Sequence, residues 1–276
     1  MIEQILALPP AAINIADVGA AFLGEPARYQ PLLANGSGRL FAFEPDARQV
    51  AGLRAHLGAT GTIIAEAVGD GETHTLHVCN FGFTSLLEPD PAALAFFNAF
   101  PHMGQVESTI GLKTRRLDDI DELPKLDFLK MDVQGSELMV LQNGRNKLSD
   151  CVAVQSEISF VTLYKEQPSF GHIDLELRAQ GFVPHCFTNV KRWSITPTIR
   201  NNDPRLPFNQ LLEADIVYIK DIIHPDGLSD LQLRKLAAIA HYSYNSPDLV
   251  ARCIIELQNR KSLEDGSVQK YLQTVR

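Results

Sequence analysis

From residue 13 onward the chain alternates short apolar runs with stretches whose apolar positions recur every three to four residues. That is the pattern of parallel strands joined by crossover helices. The first run is INIADV at 13–18. A helix over about 25–34 and the turn NGSG at 35–38 lead to the second, RLFAFE at 39–44. DARQVAGLRAHL at 46–57 opens with an aspartate suited to a helix N-cap and sets Val50, Leu53 and Leu57 on one face. A third strand, TIIAEAV at 62–68, closes at Gly69-Asp70-Gly71.

The alternation then breaks. Residues 72–87 read as extended and predict a hairpin or excursion near the mouth of the sheet, with Thr84 and Ser85 on its loop; a helix at 91–100 and an extended piece at 108–117 follow. The fourth strand is LDFLKMDV at 126–133, and the helix after it begins near Gly135 with Leu138, Val140 and Leu141 facing inward. CVAVQSEI at 151–158 is the fifth strand, and the helical run after it stops at Gly181, a residue suited to ending a helix. VPHCFTN at 183–189 and EADIVYIK at 213–220 complete the sheet as an antiparallel pair. Two amphipathic helices follow residue 228, split at Pro247, whose apolar faces either lie across the sheet or form a homodimer contact. The expectation is an α/β fold: a mostly parallel seven-stranded sheet with helices on both faces over 1–222, and a C-terminal helical extension over 223–276.

With 276 residues the chain can bury a full core. A formal charge of −8, with no concentrated basic patch along the chain beyond short pairs such as Arg115-Arg116 and Lys191-Arg192, argues against a nucleic-acid partner. Cys79, Cys151, Cys186 and Cys253 stand too far apart for zinc or dithiol spacing, which suits reduced thiols. The N-terminal segment lacks a basic start and is broken by Pro9-Pro10, and no segment reaches eighteen apolar residues. A cytoplasmic protein without a membrane span is the expectation.

In open parallel sheets ligands bind beyond the carboxyl ends of the strands. That rule collects Asp17, Glu44, Asp70, Asp132, Gln134 and Glu157 at one rim. Glu44 tips the second strand, 20 positions beyond Gly24 (44 − 24), where a carboxylate can take ribose hydroxyls. The loop between Gly19 and Gly24 carries Ala20, Ala21, Phe22 and Leu23, bulk poorly suited to baring amides for a diphosphate. A nicotinamide-dependent oxidoreductase is therefore the weaker reading. S-adenosylmethionine has an amino acid where a dinucleotide has diphosphate, and its sulfonium and ammonium favour a nearby acid such as Asp17.

The segment DFLKMDVQGSELMVLQNG at 127–144 resembles the FkbM family of S-adenosylmethionine-dependent methyltransferases, whose pattern there is Lys-x-Asp-Val-Glu-Gly-x-Glu. The similarity extends to FAFEP, to TSL at 84–86, to RRLDDI at 115–120 and to the stretch 156–182, covering about 13–220. The resemblance implies the class I methyltransferase fold and O-methylation of hydroxyls on saccharides or small molecules. It matches Asp17 and Gly19 to the first-strand loop at the methionine end, Glu44 to the ribose-binding acid, and Asp132, Gly135 and Glu137 to the fourth-strand signature; Ala20, Pro45, Asp70, near adenine, and Ser85 complete the candidate cofactor residues. Asp132 and Glu157 become the candidates for holding and deprotonating the acceptor; no residue is assigned to a metal. Two departures are evident: the strand-one loop has one residue more than the usual glycine spacing, and Gln134 stands where the family commonly has Glu. They leave room for a binding protein that keeps the fold without turnover.

Lower-ranked positions are His102, His172 and His185 as bases, and Phe81, Phe83, Phe160, Tyr164 and Phe170 as aromatic flanks. Trp193, beside Arg192, hints at a sugar-stacking platform.

Overall fold

The computed structural model describes residues 2–20, 26–57 and 61–275. A short α1 (Ile2–Leu6) precedes β1 (Ile13–Val18), α2 (Gln30–Ala34), β2 (Gly38–Phe43), α3 (Ala47–Leu57) and β3 (Gly61–Ile64). An excursion follows, made of β4 (Ala67–Val68), β5 (Thr73–Cys79), α4 (Pro91–Phe96), α5 (Phe100–Met103) and β6 (Val106–Arg115). The chain re-enters the sheet with β7 (Phe128–Met131), α6 (Glu137–Gln142), β8 (Ala153–Ser159), α7 (Phe170–Ala179), β9 (Phe182–Arg192) and β10 (Leu211–Lys220). It ends in α8 (Asp230–Tyr242), α9 (Pro247–Asn259) and α10 (Ser267–Leu272).

The main sheet has seven strands in the order β3-β2-β1-β7-β8-β10-β9, with β10 antiparallel to both its neighbours and the other pairings among β3, β2, β1, β7 and β8 parallel. Order reverses between β1 and β7, and a crevice opens at the carboxyl ends there. The expected antiparallel closing pair is present as β9 and β10.

Three expected elements differ. TIIAEAV is not one strand: β3 ends at Ile64, and β4 pairs with β6 in a separate three-stranded sheet, β4-β6-β5. Beside this pairing of Ala67 and Val68 with Thr114 and Arg115, Arg115 clasps Glu66 through Nη1 at 2.9 Å. The helix expected at 91–100 is two short helices, parted at Ala99, whose φ of 70° is incompatible with continuing a helix. The helix expected over 25–34 is confined to α2, Gln30–Ala34; residues 26–29 are described and lie in coil and turn ahead of it.

Side-chain alternation divides the core between the two faces of the sheet. Ala16, Val18, Phe41, Phe43, Leu129, Met131, Val154, Ile158, Ile216 and Tyr218 pack with Val140, Leu141, Ile173 and Leu177 of α6 and α7. On the other face, Ile13, Ile15, Leu40, Phe128, Ala153, Val217 and Ile219 pack with Ile2 and Leu6 of α1 and with Leu233, Leu236, Ile254 and Leu257 of α8 and α9. The C-terminal helices thus lie across the sheet. A third cluster, Phe83, Leu94, Phe97, Phe100, Leu163, Tyr164 and Leu212, seats the excursion over the ends of β8 and β10.

On the α8 side the strand faces are apolar at one end and charged at the other. Ile13 and Ile15 give way to Asp17, Phe128 to Lys130, Ala153 to Gln155 and Glu157, and Val217 of the reversed β10 to Asp215 and Glu213. Tyr244 marks the boundary, its hydroxyl donating to Gln155 Oε1 at 3.1 Å. Helices cover the apolar half, and the charged half forms the wall of the crevice.

Candidate functional site

The first carboxylate at the rim is already met by the chain. Asp17 and Lys130 are register partners on β1 and β7, and Lys130 Nζ stands 3.0 Å from Asp17 Oδ1. Tyr29, just ahead of α2, donates its hydroxyl to Asp17 Oδ2 at 2.7 Å. Burial works against the ammonium of Lys130, yet the charges of Asp17 and Asp132 raise its proton affinity above the ordinary lysine value. Gly19 follows with φ 79°, and a side-chain carbon built there would sit 2.0 Å from the Asp132 carbonyl oxygen. Only glycine lets the ends of β1 and β7 come this close. The N–H groups of Gly19 and Ala20 both donate to Phe43 O, at 3.1 and 3.0 Å, tying this turn to the end of β2. Gly24 lies outside the described residues.

Glu44, one residue beyond β2, is buried at 7% exposure, and its Oε1 accepts the Asp46 N–H at 2.8 Å. Its other oxygen accepts no hydrogen bond from the described residues and is free for a ligand hydroxyl. Burial raises its pKa, with the charges of Asp46 and Asp17 adding to the effect. Pro45 beside it is exposed. Asp70 lies on the excursion, not at a main-sheet tip. Its Oδ1 is held by His74 Nε2 at 2.8 Å and by the Glu72 N–H at 2.8 Å, and these bonds overcome burial to lower its pKa. Ser85 is buried and donates to the Gln134 carbonyl at 2.6 Å, anchoring the excursion on the turn after β7.

That turn holds the densest chemistry in the molecule. Gln134 adopts φ 52° and Gly135 φ 101°, a left-handed pair that swings the Gln134 side chain back over the strand tips. Its Nε2 donates to Asp132 Oδ1 at 2.8 Å and to Glu157 Oε2 at 3.1 Å, while its Oε1 accepts from Tyr164 at 3.2 Å. Glu137, at the start of α6, accepts the Val133 and Gly135 N–H groups at 2.9 and 3.3 Å. Of two plausible partners for those amides, Asp132 and Glu137, it is Glu137 that takes them. Lys130 pairs with Asp17, so Glu137 has no lysine; burial, joined by repulsion from Asp132, pushes its pKa up to about 7. Glu157 is held well above the usual carboxylate range by burial and by the charges of Asp132 and Glu213, against which Lys191 Nζ, 3.6 Å from Oε1, acts only in part. Asp215, the register partner of Glu157, is likewise raised by burial and by Asp132.

Carboxylate oxygens of Asp132, Glu137 and Glu157 come within 4.8 Å of one another, a donor set that could hold a hard divalent cation. The Gln134 amide already bridges two of them. Among the histidines, His102 packs on Phe81, His172 caps α7 through Ser169, and His185 bonds Ser246 at the start of α9. Of the aromatic flanks, Tyr164 reaches the cluster, Phe83 is core, Phe81 is 67% exposed, and Phe160 meets Phe170 edge to face.

Tyr29, Lys130, Lys191, Glu213 and Asp215 escape sequence reasoning as site residues. For the β10 pair a signal exists: in EADIVYIK, Glu213 and Asp215 alternate in phase with Val217 and Ile219, which places them on the α8 face. For Tyr29 there is none, since its reach to Asp17 depends on how α2 packs.

The methyltransferase FkbM domain matches residues 17–184. No curated protein matches the chain in sequence. Among solved structures, a putative methyltransferase from Thermoplasma acidophilum aligns at 12% identity over 77% of this chain and 70% of its own, with a TM-score of 0.40. A methyltransferase FkbM from Methylobacillus flagellatus KT aligns at 15% identity over 79% of this chain, with a TM-score of 0.41, and this chain spans 50% of its length. Magnesium protoporphyrin IX methyltransferase from Synechocystis PCC 6803, with bound S-adenosylmethionine, aligns at 10% identity over 80% and 78% of the two chains, with a TM-score of 0.37. No helix among the described residues is long and apolar enough to cross a membrane. With the FkbM domain spanning most of the sheet, the seven-strand order and the β7 motif in place, the chain belongs to the FkbM family of S-adenosylmethionine-dependent methyltransferases.

Proposed function

We propose that the protein methylates a hydroxyl oxygen of a small-molecule or saccharide acceptor, held at the tips of β7 and β8. The observation that carries this reading is the bridged unit Asp132–Gln134–Glu157, two carboxylates locked side by side where the crevice opens. An alcohol is a weak nucleophile and must lose its proton as its oxygen forms the new bond to carbon. A hydroxyl placed against the pair hydrogen-bonds a carboxylate oxygen; as its oxygen takes the methyl group and the methyl–sulfur bond would break to release S-adenosylhomocysteine, its proton passes to the Glu157 carboxylate, whose raised pKa makes it the stronger base. Gln134 holds the pair in register and offsets part of its repulsion. Lys191, 3.6 Å from Glu157 Oε1, favours the carboxylate form that can take up a proton.

S-adenosylmethionine supplies an electrophilic methyl carbon on a sulfonium. The residues that would hold it are Glu44 through its unengaged oxygen toward the ribose, and Asp17, Gly19 and Ala20 at the methionine end. Asp17 acts there with Lys130 and Tyr29 attached, as part of a fixed polar wall. Asp70, its carboxylate engaged by the excursion, and Ser85, engaged by Gln134, shape the surround of the adenine side.

Two substitutions test the assignment. Asp132→Asn and Glu157→Gln are expected to lower release of S-adenosylhomocysteine, across a panel of hydroxylated acceptors, by about 10²–10⁴-fold. Calorimetric affinity for S-adenosylmethionine should stay within about twofold, because neither change touches the Glu44 end. Undiminished turnover in both variants would remove the acceptor assignment. Glu44→Ala should instead weaken cofactor affinity by about tenfold or more, and equal affinity would remove the ribose contact.

A further inference from the structure

Beside the carboxylate cluster the chain builds a cleft of about 560 Å³ lined by Phe160, Trp193, Ile195, Thr198, Phe208, Asn209, Gln210 and Leu211. Its walls continue the strands that carry the cluster. Lys191, which touches Glu157, is two residues from Trp193; Glu213 is two residues from Leu211; and Phe160 follows β8 directly. The ladder runs on into the cleft, with the Trp193 N–H donating to Gln210 O at 3.1 Å and the Phe160 N–H to Leu212 O at 2.9 Å. Residues two apart on a strand are separated by about 6–7 Å. The cleft therefore opens within one acceptor length of Glu157.

Its polar groups are largely spent on the chain itself. The Trp193 indole N–H donates to Asn98 O at 2.7 Å, and its ring packs on Phe100 at 4.8 Å between centroids. Gln210 Nε2 donates to Leu211 O at 2.8 Å. Phe208 and Ile195, both in the lining, are 45% and 37% exposed, an unusual share of apolar surface, with the Arg200 guanidinium 5.7 Å over the Phe208 ring. A saccharide presents a hydroxyl on nearly every carbon and needs a partner for each one it buries. Here Thr198, Asn209 and the rest of the Gln210 amide are the lining side-chain groups left to provide partners, fewer than the hydroxyls of a saccharide ring. A ligand with an apolar body finds aromatic and aliphatic walls instead.

We infer that this cleft is the acceptor subsite, and that it selects a hydroxylated acceptor with a bulky apolar body over a saccharide. The inference rests on the proposed hydroxyl methylation, whose substrate class it narrows. The body lies between Trp193, Phe208 and Ile195, and one hydroxyl reaches out of the cleft to Asp132 and Glu157.

Trp193 is the only tryptophan of the chain, so its emission reports occupancy of the cleft without any need for turnover. The test titrates the intact protein with 1-adamantanol and, separately, with methyl β-D-glucopyranoside, both transparent at the excitation wavelength. Adamantanol should shift Trp193 emission to the blue in a saturable way as water leaves the cleft, while the glucoside leaves it unchanged. Phe208→Ala should weaken the adamantanol response by about tenfold, the loss of one aromatic wall that the bound ligand would cover. No saturable shift with adamantanol, a response to the glucoside of equal or greater strength, or a shift that Phe208→Ala leaves intact would each overturn the inference. Calorimetry with S-adenosylmethionine on the same variants separates this outcome from failure of the methyltransferase site, because the cleft shares no residue with the Glu44 end.

Discussion

Position 134 shows how one side chain can change the character of a site. A glutamate there would add a further carboxylate to a group that already holds Asp132, Glu137 and Glu157 within reach of one cation. The amide present gives two hydrogen bonds to Asp132 and Glu157 and does the bridging a cation would do. Gln134→Glu removes both donors, so a loss of about 1–3 kcal/mol is expected in urea melts at pH 8. Added Mg²⁺ should restore that loss in the variant and have little effect on the parent protein. Glu137 gives a second expectation at this scale. The fold holds its proton more tightly than the unfolded chain does, raising the pKa from 4.5 to about 7. Glu137 therefore contributes its full stability below about pH 4.5 and loses it as pH rises through about 7. Glu137→Gln keeps the acceptor oxygen for Val133 and Gly135 without the charge, so it should flatten that decline and melt above the parent at pH 8. Gly19→Ala should be costly at any pH. Its new carbon falls on the Asp132 carbonyl, the φ of 79° disfavours it, and about 3 kcal/mol or more of stability and most cofactor affinity are expected to go.

Single elements are held in place by contacts far apart in sequence. Lys235 of α8 reaches Asp127 at the start of β7, Nζ to Oδ1 at 2.8 Å, with both side chains largely buried. Burial raises the Asp127 pKa against the pull of this ammonium, so the pair is poised and neither partner tolerates loss of the other. Lys235→Met should cost about 3–5 kcal/mol in thermal or denaturant unfolding, because it leaves a carboxylate buried without a counter-charge. Replacing both, as Asp127→Asn with Lys235→Met, should recover much of that. The same reasoning explains why strand and helix order could be read directly while contacts could not. INIADV, RLFAFE and LDFLKMDV declare themselves by composition and by the glycines and acids that end them. Where β3 stops goes with the pairing of Ala67 and Val68 to Thr114 and Arg115 of β6, a strand not adjacent in the chain, and no local pattern announces it.

The whole molecule depends on the C-terminal helices as part of its core. Leu233, Leu236, Ile239, Leu249, Val250, Ile254 and Leu257 are buried in the same cluster as Ile13, Ile15, Leu40 and Phe128 of the sheet. At about 1.5–3 kcal/mol for each buried aliphatic side chain, their joint loss exceeds the roughly 5–15 kcal/mol by which domains are stable. A chain ending at Ile222 should lose cooperative unfolding and bind the dye ANS, as circular dichroism and fluorescence would show; a sharp melt at the parental temperature would make 223–276 a dispensable appendage. The sequence by itself determined the α/β class, the order of strands, the rim of acids at 17, 44, 132 and 157 and the family, because these follow from local periodicity and a contiguous motif. Tertiary structure alone decided that Lys130 and Tyr29 occupy Asp17, that Gln134 joins Asp132 to Glu157, and that an apolar cleft stands beside them. Hydrogen bonds and ion pairs act over a few ångströms in space, and the groups that make them here are brought together from strands and loops tens of residues apart.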